Sequence, residues 1–163
     1  MHRLNKSALH QEVIQRLEDT LQQAQQAALM AYETATAKEN IAENKYDTLG
    51  LEASYLATGH ARRAAAIRQT LVDWKRLLLR DFDPQLGIQL GALIELSDDD
   101  GRRQCLFLGP DGAAMKLQQD GQTVQVLGPQ APLGHMLRGK NVGDELTLRV
   151  ACGVQLLTIL SVD

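Results

Sequence analysis

Glycine and proline lie almost entirely in the second half of this chain, and this distribution constrains the fold more than any other sequence feature. All four prolines, and all of the 13 glycines except Gly50 and Gly59, come after residue 80. The first 80 residues are instead rich in Gln, Ala, Leu and Glu, which favour helices. The sequence therefore predicts long helices before residue 80 and shorter elements joined by turns after it.

Two apolar seams with steps of three and four residues run through the first 80 residues, and such spacing keeps side chains on one helix face. The first run extends from Ser7, the predicted N-cap, to Ala35. The second run begins after Tyr46 and continues to Leu79. The first seam comprises Leu9, Val13, Leu17, Leu21, Ala24, Ala28, Ala31 and Ala35. The second comprises Leu49, Ala53, Leu56, His60, Ala64, Ile67, Leu71, Trp74 and Leu78.

The two seams pair when the second helix runs antiparallel to the first. Leu9 then lies opposite Leu78, and Val13 lies opposite Trp74, which places the turn at Glu43-Asn44. The pattern predicts an antiparallel coiled-coil hairpin in residues 1–80. An ordinary helical hairpin that only dimerises, or packs on another subunit, would have the same periodicity.

Carboxylates gather around the predicted turn, at residues 39–47. Glu39, Glu43 and Asp47 are four residues apart, and Asn40 adds an amide oxygen. Oxygen ligands of this kind suit Mg²⁺, and a metal held there would activate a water for phosphodiester cleavage. The alternative is a solvated polar cap, since carboxylates are favoured near the N-terminus of the second helix by its dipole.

Short apolar runs between turn residues predict β structure in residues 81–163. Asp100-Gly101 and Asp120-Gly121 are turn signals of the kind found between paired strands. The candidate strands are Gly87–Leu96, Arg103–Gly109, Thr123–Leu127, Glu145–Val150 and Val154–Val162. One short helix is predicted at Ala131–Leu137. The whole chain is therefore expected to be α+β, with a boundary between domains 1–80 and 81–163.

Charge and composition exclude several classes of protein. Residues 1–80 hold 11 Lys+Arg against 9 Asp+Glu (+2), and residues 81–163 hold 6 against 11 (−5), so neither half has the basic face that nucleic-acid binding needs. No apolar run is long enough to span a bilayer. Cys105 and Cys152 form neither a metal cluster nor a disulfide framework, and we expect both to fill space in strands. A reducing cytoplasm is the expected compartment.

Residues 132–145 read Pro-Leu-Gly-His-Met-Leu-Arg-Gly-Lys-Asn-Val-Gly-Asp-Glu. This segment resembles the Ser-Pro-[Leu/Ile/Val]-Gly-x-Ala-Leu-[Leu/Ile]-Gly-Lys-x-x-Gly-Asp-Glu pattern of the bacterial GreA/GreB transcript-cleavage factors. Glu43-Asn44 followed by Tyr46 resembles the tip segment of the same family. The resemblance extends over nearly the whole chain in the order of its elements.

The resemblance implies a function. Family members insert their coiled coil through the secondary channel of RNA polymerase, where tip carboxylates help to hold a second Mg²⁺. The polymerase's own site then cuts backtracked RNA, so the factor is an accessory protein without a cofactor of its own, and it acts on the nascent RNA 3′ end indirectly. Here the tip residues would be Glu43, Asn40, Glu39 and Asp47, with Glu43 sharing Mg²⁺ with the polymerase.

The resemblance also implies an FKBP-like fold for residues 81–163, docked at the channel rim, in a monomer that has no contact with membranes. The docking residues would be Ala131, Pro132, Leu133, Gly134, Gly139, Lys140, Gly143 and Asp144. The acidic balance of this domain suggests that it meets basic residues of the rim. A peptidyl-prolyl isomerase is disfavoured, because its pocket needs aromatic walls and only Phe82 and Phe107 are aromatic in this half.

Four departures from the family pattern leave a second function open. Asn40 stands where the family has Asp, and Asn is a weaker Mg²⁺ ligand. The step from Asn44 to Tyr46 is one residue shorter than usual, and Ala131 and Met136 replace Ser and Ala. A regulator that occupies the channel without promoting cleavage is therefore the alternative within this architecture. A coiled-coil adaptor unrelated to transcription is the alternative outside it.

Overall fold

The computed structural model describes residues 4–37 and 49–163. Within them, three helices and six strands follow one another, which confirms the predicted α+β class. The elements are α1 Lys6–Thr36, α2 Leu49–Arg76, β1 Leu93–Asp98, β2 Arg103–Leu108, β3 Met115–Gln119, β4 Gln122–Leu127, α3 Pro132–Leu137, β5 Glu145–Val150 and β6 Gly153–Val162. In the part of the chain that is described, neither long helix has an apolar stretch that would let it cross a membrane.

Contacts divide the chain into two compact units, one of residues 1–14 with 73–163 and one of residues 15–72. The first unit therefore contains the sheet together with the beginning of α1 and the end of α2. The second contains the remaining length of the two helices. The domain boundary between residues 80 and 81 stays a prediction.

Buried side chains in the 15–72 unit follow the predicted spacing. Leu17 and Ala24 of α1 and Ala64 and Leu71 of α2 are buried. The remaining seam positions of α1 are half-buried, as are His60 and Ile67. Leu56 is a wrong seam assignment, since 60% of it is exposed and the neighbouring Ala57 is half-buried instead. The predicted turn at Glu43-Asn44 lies outside the described residues, and the seam roles of Leu49 and Ala53 stay predictions.

The first turn of α1 is capped by Asn5 and not by the predicted Ser7. Asn5 Oδ1 accepts a hydrogen bond from Ala8 N at 3.0 Å, which satisfies one of the free amides at the helix start. The Asn5 backbone also exchanges two hydrogen bonds with the Gln119 side chain, which accepts from Asn5 N and donates to Asn5 O. Asn5 is held at the cap position because the Gln119 side chain of β3 bonds to its backbone. Gln119 is distant in sequence, so the local pattern around Ser7 does not reveal this partner.

Trp74 fixes the end of α2 to the sheet. Its ring is fully buried and stacks on Phe107 of β2, with centroids 5.7 Å apart and planes 21° apart. The indole Nε1 donates to Pro110 O at 3.1 Å. The Trp74 carbonyl accepts from His10 Nε2 at 2.6 Å, so this end of α2 lies beside the beginning of α1. A side chain at Gly109 would collide with the indole ring.

The second helix ends at Arg76, three residues before the predicted end. Leu78 is consequently outside the helix and 64% exposed, so its place in the seam and its pairing with Leu9 were wrong. Leu9 and Val13, which belong to the α1 seam, are fully buried. The predicted pair of Val13 and Trp74 agrees with the burial of both.

The six strands form one mixed sheet in the order β3-β4-β2-β1-β6-β5. Only the β2–β4 pair is parallel; the other four neighbouring pairs are antiparallel. One face carries a core that α3 covers. Its buried members are Ile88, Ala92, Ile94, Leu96, Leu106, Leu108, Leu127, Leu137, Leu146, Leu157 and Ile159. Phe107 alternates with Leu106 and Leu108 and so points to the opposite face, towards Trp74.

The β predictions were right for most strands and wrong at two places. No strand was predicted over Met115–Gln119, where β3 lies at the sheet edge with Leu117 as its one buried residue. The hairpin to β4 turns at Asp120 and Gly121, both with positive φ, as the Asp-Gly signal predicts. The predicted strand from Gly87 begins only at Leu93, because Gly87 and Gly91 adopt positive φ and bend the chain before it.

We predict that Trp74→Ala lowers the free energy of unfolding by about 3–5 kcal/mol, since it removes the stacked ring, its hydrogen bond and the volume against Gly109. Leu78→Ala, at the exposed position of the same predicted seam, should change it by less than about 0.5 kcal/mol. Urea unfolding followed by far-UV circular dichroism measures both free energies. Tryptophan fluorescence would not serve, because Trp74 is the only tryptophan and Trp74→Ala removes it. Similar losses in the two variants would contradict the anchoring role of Trp74.

Candidate functional site

The four predicted tip residues, Glu39, Asn40, Glu43 and Asp47, lie outside the described residues, so their roles stay predictions. Among the residues that are described, no group of three or more His, Cys, Asp or Glu side chains is placed to hold a metal ion. The predicted docking segment, residues 131–145, is described in full, and its geometry can be built from the backbone upward.

The short helix α3 begins with proline and ends at the core. Ala131 precedes it in extended conformation, and Pro132 occupies the first turn, where its missing N–H costs no hydrogen bond. Gly134 is buried so closely against the Gly128 carbonyl that a Cβ there would collide with it. Leu137 is fully buried in the sheet core. The requirement for glycine at position 134 is therefore internal packing.

Two exposed glycines shape the connection from α3 to β5. Gly139 and Gly143 have φ of +80° and +90° and open space where a Cβ would lie, so backbone conformation is the reason for glycine. Gly139 N donates to Ile88 O and Ile88 N donates to Lys140 O, each at 2.8 Å. Gly143 N donates to Ile159 O at 2.8 Å. These three bonds fasten the connection to the loop before β1 and to β6.

Asp144 holds the end of the same connection. Its Oδ2 accepts from Asn141 N at 2.8 Å, and its carbonyl accepts from Ile159 N at 2.9 Å. The Gly-x-x-x-Gly-Asp spacing thus has a local explanation: two glycines with positive φ turn the chain, and the Asp144 carboxylate caps the turn. Asp144 is half-buried, consistent with this internal role.

The residues of the docking prediction differ in exposure. Pro132, Gly139, Lys140 and Gly143 are exposed; Ala131, Leu133 and Asp144 are half-buried. Three further exposed side chains of the segment were not predicted as docking residues: His135, Arg138 and Val142. His135 and Val142 stand at positions that the family pattern leaves open, whereas Arg138 stands where the pattern has Leu or Ile.

No model of a known protein family matches the chain, and no curated protein matches it either. Solved structures do match. GreA factor homolog 1 (Gfh1) of Thermus thermophilus is 21% identical, with 92% of this chain and 94% of that chain covered and a TM-score of 0.39. A further structure of the transcription factor Gfh1 is 25% identical, with 94% and 92% covered and a TM-score of 0.42.

A GreA/GreB transcription elongation factor from Nitrosomonas europaea is 19% identical, with 60% of this chain and 78% of that chain covered and a TM-score of 0.38. The chain resembles these factors. Since each TM-score is below 0.5, the fold described above rests on its own helices and strands and not on the superpositions.

A concave feature lies elsewhere in the 73–163 part of the chain. A cavity of about 740 Å³ is lined by residues of β1, β2, β4 and β6 and by Leu4. Glu95 and Arg103 form an ion pair at 3.3 Å in its wall. Burial and the neighbouring Glu95 carboxylate raise the pKa of the Cys105 thiol to about 11, so this thiol stays protonated near neutral pH and is a poor nucleophile.

The two cysteines differ in environment. Cys105 lies in β2 and is half-buried, as expected of a strand residue that fills space. Cys152 lies in the turn between β5 and β6 and is exposed, so the expectation that it fills space in a strand was wrong. Both are free thiols.

We predict opposite effects of alanine at two glycines. Gly134→Ala should lower the free energy of unfolding by about 1–3 kcal/mol, because its methyl group collides with the Gly128 backbone. Gly59→Ala, in the interior of α2 with nothing within 4 Å, should raise it by about 0.5–1 kcal/mol. Chemical denaturation of the two variants measures the difference. A stable Gly134→Ala protein would contradict the close packing of α3.

Proposed function

We propose that this chain is a transcription elongation factor that acts on RNA polymerase and reaches it through the secondary channel. The observation that carries the proposal is the match of residues 132–145 to the GreA/GreB pattern. The structure supports this match with a physical reason for several of its fixed positions: Gly134 packs against backbone, Gly139 and Gly143 have positive φ, and Asp144 caps the turn.

The two long helices add a second line of support. Their described parts, Lys6–Thr36 and Leu49–Arg76, have buried positions at the spacing of a coiled coil. The beginning of α1 meets the end of α2 at the His10–Trp74 contact, as an antiparallel hairpin requires. Such a pair suits a narrow channel, because each helix adds only about 10 Å to the width. The segment between them contains the predicted tip.

The proposed action of the tip is to help the polymerase cut backtracked RNA so that elongation resumes. Mg²⁺, when bound between the polymerase and the tip, would activate a water for attack on a phosphodiester. In this proposal Glu43 provides the carboxylate oxygen, and Asn40 adds a neutral amide oxygen that attracts the ion less strongly than a carboxylate. The chain itself is then not an enzyme and holds no cofactor alone.

The second candidate is a regulator that occupies the channel without promoting cleavage. Asn40, which stands where the family pattern has Asp, is the specific observation that favours it. The two candidates share the partner and the route of entry, and they differ only in what the tip does to the RNA.

An assay with stalled, backtracked RNA polymerase complexes and Mg²⁺ separates the candidates. We expect the wild-type chain to bind the polymerase and to accelerate cleavage, and Glu43→Ala to reduce the acceleration about 10- to 100-fold with binding retained. Asn40→Asp should increase the acceleration, because a second carboxylate strengthens the hold on Mg²⁺. Glu33→Ala, which removes an exposed carboxylate from α1, is the matched control and should leave cleavage unchanged.

Each outcome decides between the candidates. Binding without cleavage in the wild type, with cleavage gained in Asn40→Asp, would identify the non-cleaving regulator. Equal cleavage by wild type and Glu43→Ala would contradict the proposed role of the tip. Failure of the wild-type chain to bind RNA polymerase would contradict both candidates and favour the unrelated coiled-coil adaptor.

A further inference from the structure

The α3–β5 segment carries an unpaired cluster of positive charge on the surface of an acidic domain. His135, Arg138 and Lys140 are all exposed and lie within six consecutive residues. Among the described residues, no ion pair or side-chain hydrogen bond involves any of the three. We call the two basic residues among them, Arg138 and Lys140, the cationic cluster.

Nearby carboxylates are engaged elsewhere. Asp144 Oδ2 accepts from Asn141 N at 2.8 Å, and Asp83 Oδ1 accepts from Gln85 N at 2.9 Å. Both acids belong to loops that the backbone bonds of Gly139 and Ile88 bring together, yet neither pairs with the cationic cluster. The positive charge is therefore available to a partner.

The backbone beneath the cluster is fastened before any partner arrives. Gly139 and Lys140 share two hydrogen bonds with Ile88, and Leu137, directly before Arg138, is fully buried in the core. A partner would not have to order this backbone, so binding there loses less conformational entropy than binding at a loose loop. Pro132 and Val142, both exposed, provide apolar surface within the same segment.

The charge around the cluster selects the kind of partner. Residues 81–163 hold 6 Lys+Arg against 11 Asp+Glu, so without Arg138 and Lys140 the remainder holds 4 against 11. A long polyanion such as DNA or RNA would extend past the cluster and meet this acidic remainder. A compact acidic patch on a protein would interact mainly with the cluster, because screening by salt limits charge interactions to about 8 Å at physiological ionic strength. The arrangement favours a protein over a nucleic acid.

We propose that the cationic cluster docks on an acidic patch of the protein partner, with Arg138 and Lys140 as its principal contacts. The inference rests on the proposed function, in which that partner is RNA polymerase. The sequence predicted that the acidic domain meets basic residues of the rim. This proposal instead places the positive charge on this chain and the negative charge on the partner. Arg138 stands where the family pattern has Leu or Ile, whereas Lys140 matches the Lys of that pattern, so the contact through Arg138 is particular to this chain.

The test compares two double variants with the same change in net charge. Arg138→Glu with Lys140→Glu reverses the cluster, and Arg102→Glu with Arg149→Glu reverses two exposed arginines elsewhere in the same domain. Binding of the full chains to RNA polymerase is measured by titration at 50 mM and 500 mM salt. We expect the cluster variant to bind RNA polymerase at least tenfold more weakly than wild type at 50 mM salt, and less than threefold more weakly at 500 mM salt. The affinity of the control variant should stay within twofold of wild type at both salt concentrations.

The outcomes separate this inference from the proposed function. If the wild type binds and the two double variants weaken binding equally, or if neither weakens it, the docking role is overturned and the proposed function stays intact. No binding by the wild type would overturn both. A parallel titration with a fluorescent 30-nucleotide DNA is expected to show no dependence on Arg138 and Lys140; a tenfold loss of DNA affinity in the cluster variant would assign the cluster to nucleic acid and contradict the proposal.

Discussion

The contacts of Trp74 are the interaction on which the rest of the larger unit depends. One side chain stacks on Phe107, donates to Pro110 and fills the space that Gly109 leaves, while its backbone carbonyl accepts from His10. Apolar burial, an aromatic stack and two hydrogen bonds thus meet at one residue, which joins the end of α2, the beginning of α1 and the sheet. A long helical pair needs such a fixed base, because two isolated helices would gain little stability from a seam rich in alanine.

The α3–β5 segment shows how one motif serves two purposes. The residues that define the motif, Gly134, Gly139, Gly143 and Asp144, have internal reasons to be what they are. Between them, His135, Arg138, Lys140 and Val142 are exposed, and they include the cationic cluster. The glycines and Asp144 hold the segment in shape, and the exposed side chains are available for contact with a partner.

Much of the fold could be predicted from the sequence, because the strongest signals are local. The presence of two long helices, the Asp-Gly turns and the bounds of β5 depend on neighbouring residues and were predicted correctly. The missed elements depend on distant partners. β3 has one buried residue and is recognisable mainly by its pairing with β4, and Asn5 replaces Ser7 as the cap because Gln119 bonds to it. Leu78 appeared to continue the seam, yet α2 ends before it.

For the candidate site, sequence reasoning identified the docking segment, with Lys140 among its docking residues, but it did not single out Arg138. That Arg138 and Lys140 are both exposed depends on the fold of the segment, which no periodicity encodes. The net charge of −5 of residues 81–163 is an average over the domain and does not reveal these two exposed cations. The tip assignments rest on the resemblance and on the spacing of carboxylates.

The central claim, that this chain enters RNA polymerase with its predicted tip leading, is tested most directly by crosslinking from that tip. A photoreactive benzoylphenylalanine in place of Tyr46 changes the aromatic side chain little, and the same residue in place of Val154, 66% exposed at the start of β6, reports on the sheet domain. The account predicts that position 46 crosslinks to polymerase residues beside the active centre, while position 154 does not. Crosslinks from position 46 only to the outer surface of the polymerase, or to no part of it, would contradict the account.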